Sequence, residues 1–194
     1  MRSARVERRT KETEIEVELN LDGDGTCKVN TEIGFLDHLL TLFSKHSLID
    51  LTVDAKGDLE VDDHHTIEDI GLCIGEALAK ALDDKRGINR YGFFILTMDE
   101  SLAQAAIDLS GRAYFVYNAE FKREKIGELS TEMIREFFYA ISQNAKMNLN
   151  MKVDGINDHH KCEALFKGFG RALRMALTID DRIKGEIPST KGVI

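Results

Sequence analysis

The sequence predicts an α+β protein made of two pseudo-symmetric strand-strand-helix-strand-helix halves, which together form a layered sandwich. The first observation is a repeat: the pattern His-His-x-x-Glu occurs at 64–68 and again at 159–163, an offset of 95 residues, and the apolar positions that follow it repeat at the same offset. The second is that apolar and polar residues alternate through 15–21, which indicates a half-buried strand. The third is that apolar residues at 36–43 recur at helical spacing.

The first half begins with the alternating strand and a turn of Asp and Gly residues at 22–25, which predicts a hairpin with the segment that follows. Gly34 then precedes a helix. The predicted elements in order are strands at 15–21 and 26–31, a helix from 34 to about 46, a strand around 51–53, and the first His-His helix to about residue 82.

The second half repeats this order after a short connecting segment at 85–92. Because this segment is short, we expect one compact domain, residues 1–194, whose halves (about 1–88 and 89–194) pack together. The predicted elements are strands near 93–98, 102–108 and 113–121, a helix carrying apolar residues 133–141, a strand at 147–153, and the second His-His helix.

Composition describes an ordinary globular protein, with 43% hydrophobic and 31% charged residues. The net charge of −8 disfavours nucleic acid as the main partner. No apolar run approaches the ~18 residues of a membrane span, and the charged start of the chain lacks the apolar segment of a signal peptide. Three cysteines, an odd number, predict reduced thiols and a cytoplasmic location.

The repeated His-His-x-x-Glu stretch has the spacing of a metal site. Residues three and four positions apart share a helix face, so Glu68 can approach both His64 and His65. Adjacent histidines diverge by about 100° around the axis, so the pair suits two metal ions better than one. Imidazole and carboxylate together suit a divalent ion such as manganese, iron or zinc. A single motif of this kind is more often a solvated histidine pair, but its repetition favours a metal site.

Several basic residues lie in or beside predicted loops, where they can meet an anion. Surface charge is the ordinary explanation for any one of them, but together they suit a small phosphorylated ligand. The polar tail at 188–192 also fits an anion-binding loop. No Gly-x-Gly-x-x-Gly sequence or Walker loop supports a nucleotide site. The basic residues are Arg90, Arg112, Lys167 and Lys191.

Five stretches, in order along nearly the whole chain, resemble the imidazoleglycerol-phosphate dehydratase family. They are Gly34–His38, Asp62–Asp69, Asp108–Arg112, His159–Lys167 and Pro188–Gly192. The resemblance implies a hydro-lyase of histidine biosynthesis that converts imidazole glycerol phosphate to imidazole acetol phosphate. It also implies two manganese ions per site and a homo-oligomeric shell of twenty-four subunits with sites at subunit boundaries.

The resemblance further implies roles for individual residues. Glu12 matches the acid that moves protons at the substrate carbons. The implied metal ligands are His38, His64, His65, Glu68, His159, His160 and Glu163. The implied substrate and phosphate contacts are His46, Arg90, Arg112, Lys167, Ser189, Thr190 and Lys191.

The reaction needs these residue types because the proton to be removed is not next to a carbonyl. Two metal ions can hold the ring as imidazolate. A carboxylate such as Glu12 can then take the adjacent proton, a contribution of ~10²–10⁴-fold. Cationic side chains that hold the phosphate orient the reacting carbons.

One position departs from the family pattern, which generally reads Leu-His where this chain has Leu149-Asn150. Strand alternation places Asn150 opposite Leu149 and Met151, so we expect it to face the site and to weaken one metal. Two other functions remain open. The first is a dimetal hydrolase of a phosphorylated small molecule, and the second is a degenerate assembly that metal only stabilises.

Overall fold

A computed structural model of the chain describes residues 2–183 and 185–194. The first half contains a four-stranded sheet in the order β1-β2-β4-β3. Its strands are β1 (Ser3–Arg9), β2 (Thr13–Asn20), β3 (Cys27–Asn30) and β4 (Asp50–Gly57). Along β2 the apolar side chains are buried, and the polar ones other than Thr13 are partly or fully exposed, as the alternating sequence predicts.

The predicted hairpin between 15–21 and 26–31 is wrong. Strand β2 pairs antiparallel with β1 and β4, while β3 runs parallel to β4 at the far edge of the sheet. The prediction missed β1, whose only buried side chain is that of Val6, so this edge strand shows no apolar alternation. Alternation identifies the buried face of a strand but not its neighbour.

The second half repeats this topology in a sheet of order β5-β6-β10-β7. Its parallel edge strand β7 corresponds to β3. In each half, three strands of the four-stranded sheet therefore precede the first helix, whereas two were predicted for the first half. The strands are β5 (Tyr91–Met98), β6 (Ser101–Asp108), β7 (Tyr114–Asn118) and β10 (Asn148–Asp154), and a short pair, β8 (Lys125–Ile126) and β9 (Leu129–Ser130), precedes the third helix.

Four helices pack on the inner faces of the sheets and against each other across the halves. They are α1 (Gly34–Ser47), α2 (His64–Leu82), α3 (Glu132–Asn144) and α4 (Asp158–Leu177). Helix α1 packs on α4, and α2 packs on α3, so buried side chains of both halves form one cluster. The predicted α+β class is confirmed. Within 2–183 and 185–194, no helix has the length and apolar character to cross a membrane.

Two glycines allow close helix contacts that repeat between the halves. A Cβ atom on Gly75 would lie 2.8 Å from the Ile141 carbonyl oxygen, and one on Gly170 would lie 3.0 Å from the Phe43 carbonyl oxygen. The glycines are 95 residues apart, and their partners, 43 and 141, are 98 apart. Helices α1 and α3 are therefore equivalent at an offset of 98, while α2 and α4 are equivalent at 95.

Gly75→Ala is expected to lower the free energy of unfolding by about 1–3 kcal/mol, because the added methyl group overlaps the backbone of α3. The matched control is Gly168→Ala, where the nearest atom to the new Cβ is the Ala103 Cβ at 3.9 Å, an ordinary contact. That control is expected to lose no stability, since alanine favours the helix. Urea unfolding measures both variants. Equal stabilities would contradict the close contact at Gly75.

Candidate active site

The first part of the site is a cluster to which both halves contribute. His38 comes from the first turns of α1, and His159 and Glu163 lie one turn apart on α4. The Glu163 Oε1 atom is 2.7 Å from His38 Nε2 and 3.1 Å from His159 Nε2. Among the residues that the structure describes, these form the one group of three such donors whose ligand atoms all lie within 4.8 Å of one another. The geometry fits one metal ion bound by two imidazoles and a carboxylate.

Glu163 is buried and negatively charged in this cluster. Burial acts to raise its pKa, but hydrogen bonds from Lys167 and His38 and the charge of Lys167 outweigh that effect and lower the pKa to about 2. The Lys167 Nζ atom donates to Glu163 Oε2 at 2.7 Å. The predicted site residue Lys167 therefore lies beside the cluster. The ring of Phe35, which the sequence interpretation did not select, packs 4.8 Å from that of His159.

His160 points away from this cluster, as expected for adjacent histidines on a helix. Its Nδ1 atom lies 2.9 Å from Glu100 Oε2, in the turn between β5 and β6. This hydrogen bond raises the pKa of His160 and lowers that of Glu100. An imidazole whose Nδ1–H is held by a carboxylate presents Nε2 as a metal ligand, a common arrangement in metalloproteins. Glu100 was not predicted as a site residue.

The first-half triplet forms a second, more open group. The His64 Nε2 and Glu68 Oε2 atoms are 3.9 Å apart. The His65 Nδ1 atom is 3.0 Å from Asp58 Oδ2, which raises the pKa of His65, and 3.9 Å from Glu12 Oε2. Glu12 therefore lies at the predicted triplet. Within one copy of the chain, the structure does not join this triplet to the His38 cluster.

The residues predicted to contact phosphate divide between two places. His46 lies near Lys167: burial lowers the pKa of His46, and the charges of Lys167 and Arg171 lower it further. Arg90 lies at the other end of the second sheet. Its guanidinium donates to Asp108 at 2.7 Å and to the Pro188 carbonyl oxygen at 2.9 Å.

The chain's tail packs against this other end of the sheet. A Cβ atom on Gly111 would lie 2.8 Å from the carbonyl carbon of Ile194, so the tail ends beside the loop that contains Arg112. The tail also carries Ser189, Thr190 and Lys191. The eight residues of β5 lie between Arg90 and the turn whose Glu100 hydrogen-bonds His160. At 3.3 Å per residue, this separation is roughly 25 Å.

The expectation that Asn150 faces the metal site is wrong for a single copy of the chain. Leu149 and Met151 are buried toward the helices, so alternation was correct, but Asn150 is exposed on the outer face between Ala106 and Val116. The clustered histidines project from the helices on the inner face. Strand alternation alone does not distinguish an outward position from one that faces the site.

Internal symmetry identifies a residue that the sequence interpretation missed. His38 contacts Glu163. The equivalent of His38 in the second half, 98 residues on, is Glu136, and the equivalent of Glu163 in the first half, 95 residues back, is Glu68. Helix α3 packs on α2 as α1 packs on α4, so by this symmetry Glu136 is the counterpart of His38. Its carboxylate pairs with Arg135 here. The sequence contains Glu136, but the offset of 98 that relates α1 to α3 is known only from the helix contacts in the structure.

The repeated fold and its two histidine–carboxylate groups define a two-repeat α+β enzyme. The family model described as imidazoleglycerol-phosphate dehydratase matches residues 31–173. The chain is 56% identical over 193 residues to the histidine biosynthesis bifunctional protein of Spirosoma linguale, of which it spans 50%. It is 55% identical over its full length to the imidazoleglycerol-phosphate dehydratase of Lachnoclostridium phytofermentans, and it covers 98% of that protein.

A solved structure agrees with these sequence relatives. The crystal structure of the imidazoleglycerol-phosphate dehydratase from Staphylococcus aureus matches with a TM-score of 0.83 at 40% identity, covering 92% of this chain and 99% of that one. The chain belongs to the imidazoleglycerol-phosphate dehydratase family. It is therefore an enzyme, a hydro-lyase of histidine biosynthesis.

Proposed function

We propose that this chain converts imidazole glycerol phosphate to imidazole acetol phosphate with two divalent metal ions, manganese by preference. The observation that carries the proposal is the His38–His159–Glu163 cluster beside a histidine already oriented by Glu100. Mixed imidazole and carboxylate donors suit manganese. When bound, the metal ions supply the Lewis acidity that stabilises the substrate ring as imidazolate. The proposed ligands are His38, His64, His65, Glu68, His159, His160 and Glu163.

The remaining residues of the site bind, orient and move protons. Glu12, exposed beside His65, accepts the proton from the substrate carbon. The electron pair of that C–H bond becomes the double bond of an enol as the neighbouring hydroxyl leaves, the proton taken from the carbon converts the departing hydroxide to water, and the enol then tautomerises to the ketone. Lys167 and His46 line the cluster side of the site. The phosphate is held by cationic and hydroxyl groups at the tail end, which are Arg90, Arg112, Ser189, Thr190 and Lys191.

We place the complete site between copies of the chain, in a homo-oligomer with the twenty-four subunits that the family resemblance implies. In one copy, the tail residues and His160 lie at opposite ends of β5, roughly 25 Å apart, which is too far for one small substrate. The outer face of the second sheet also exposes Phe93, Ile95 and Tyr114. An exposed apolar face of this kind is typical of a subunit interface. We expect the assembly to be cytoplasmic.

Glu136 completes the first metal site in this proposal, as the counterpart of His38. Glu136→Ala and His38→Ala are therefore each expected to reduce the bound Mn²⁺ from two ions per chain to one, or to weaken one of the two by about 10–100-fold or more. The double variant is expected to lose both. Calorimetric titration with Mn²⁺ measures this directly. A Glu136→Ala variant that titrates like the parent would remove Glu136 from the ligand set.

The proposal is tested on the purified chain after chelation. We expect no turnover without metal, restored turnover with Mn²⁺, and formation of the ketone product without release of inorganic phosphate. Phosphate release would favour the hydrolase alternative. Mn²⁺ binding that restores the assembly but yields no product from imidazole glycerol phosphate would favour the degenerate assembly.

A further inference from the structure

Glu12 and Glu100 occupy equivalent positions in the two halves. The β1–β2 and β5–β6 hairpins match at an offset of 88, since Ser3 pairs with Asn20 and Tyr91 pairs with Asp108. At this offset Glu12 becomes Glu100. Glu12 is the last of the three residues between β1 and β2, and Glu100 is the last of the two residues between β5 and β6. Each lies near the second histidine of its triplet. Equivalent positions would ordinarily predict equivalent roles.

Glu100 uses both of its carboxylate oxygens within the protein. Its Oε2 atom accepts from His160 Nδ1 at 2.9 Å. Its Oε1 atom accepts from the backbone N–H groups of Ile156 at 3.1 Å and Asn157 at 2.7 Å, and from the Ser101 hydroxyl at 3.1 Å. A carboxylate held by four donors is fixed in position and orients the imidazole. It has little capacity left to take a proton from a substrate.

Glu12 is not used in this way. Its carboxylate is 57% exposed, against 32% for Glu100, and lies 3.9 Å from His65 Nδ1. Asp58 has taken the orienting position instead, with its two oxygens 3.0 Å and 3.1 Å from that nitrogen. The Asp58 backbone N–H also donates to the Glu12 carbonyl oxygen at 3.1 Å, which ties Asp58 to the turn that contains Glu12.

A difference in loop length explains why Asp58, and not Glu12, orients the histidine of the first half. Six residues, 58–63, connect Gly57 to the first His-His pair, whereas three, 156–158, connect Gly155 to the second. The three additional residues allow the first loop to bring Asp58 under the imidazole of His65. The shorter second loop instead donates its backbone N–H groups to Glu100.

We propose that Asp58 is a positioning residue that holds His65 and thereby leaves Glu12 free for proton transfer, while Glu100 holds His160. The inference rests on the proposed metal-dependent function and adds a division of roles between two equivalent carboxylates. Asp58 acts through His65 and Glu12 and does not contact the reacting atoms.

The test combines Mn²⁺ titration with steady-state kinetics on the full chain. Asp58→Ala and Glu100→Ala are each expected to weaken Mn²⁺ binding by about 10–100-fold, because each releases a ligand imidazole. Glu12→Gln alone is expected to bind Mn²⁺ like the parent. With Asp58 removed, Glu12 is the nearest carboxylate to His65 Nδ1. The double variant Asp58→Ala/Glu12→Gln is therefore expected to bind Mn²⁺ more weakly than Asp58→Ala alone.

Kinetics provide a second readout. Even at saturating Mn²⁺, Asp58→Ala is expected to have a lower kcat than the parent and a near-parental KM, because Glu12 is drawn toward His65. Asp58→Asn, whose amide oxygen can still accept from Nδ1, is expected to recover part of the metal affinity. It also serves as the variant of choice if Asp58→Ala fails to fold by circular dichroism.

Two results would overturn the inference: parental Mn²⁺ binding by Asp58→Ala, or a loss of Mn²⁺ affinity in Glu12→Gln as large as that in Glu100→Ala. A failure of the proposed function itself looks different. In that case His65→Ala and His160→Ala would both bind Mn²⁺ like the parent.

Discussion

His160→Ala is expected to lose bound metal and dehydratase activity together. His160 is a proposed metal ligand whose ring is oriented by Glu100, and a lost metal ligand is rarely replaced by the surrounding protein. His65→Ala is expected to behave in the same way, because it is the equivalent residue of the first triplet. Metal analysis and a dehydratase assay on the same preparation measure both effects.

Asn150→Ala tests separately whether the outer face of the second sheet takes part in metal binding. Asn150 is exposed on that face, away from the histidines of its own copy, so its replacement is expected to leave metal content unchanged. Parental metal content in both histidine variants would contradict a site that uses both copies of the motif. Loss of metal in Asn150→Ala would show that a neighbouring copy brings this face to the site.

Glu12→Gln is expected to lower kcat by about 10²–10⁴-fold, the contribution of a general base, while metal content and KM stay near the parental values. Glutamine keeps the size of the side chain but removes its capacity to accept a proton. The expected split between kcat and KM separates a catalytic role from a binding role.

The control for Glu12 is Glu14→Gln, one position into β2. Glu14 is also exposed, and it pairs with Arg9 at 3.1 Å on the outer face of the sheet. This variant is expected to turn over like the parent. If Glu12→Gln and Glu14→Gln have equal kcat values, Glu12 is a surface residue without a catalytic role.

Local patterns predicted the elements of the fold because burial imposes a fixed period on each kind of segment. Alternation identified β2, and apolar spacing after Gly34 placed the start of α1. The duplicated motif placed α2 and α4 at equivalent positions. Edge strand β1 has a single buried side chain and was missed for that reason.

The sequence by itself determined the α+β class, the two-fold repeat and the chemical types gathered at each triplet, because these depend on residues that are near one another in the chain. Tertiary structure alone decided three things: that β3 pairs with β4, that Asn150 faces outward, and that Glu136 corresponds to His38. It also decided that Asp58, not Glu12, holds His65. Each depends on how separate segments meet in space. The carboxylate oxygens of Asp58 and Glu12 differ by about 1 Å in their distance from His65 Nδ1, and a local sequence pattern does not encode such a difference.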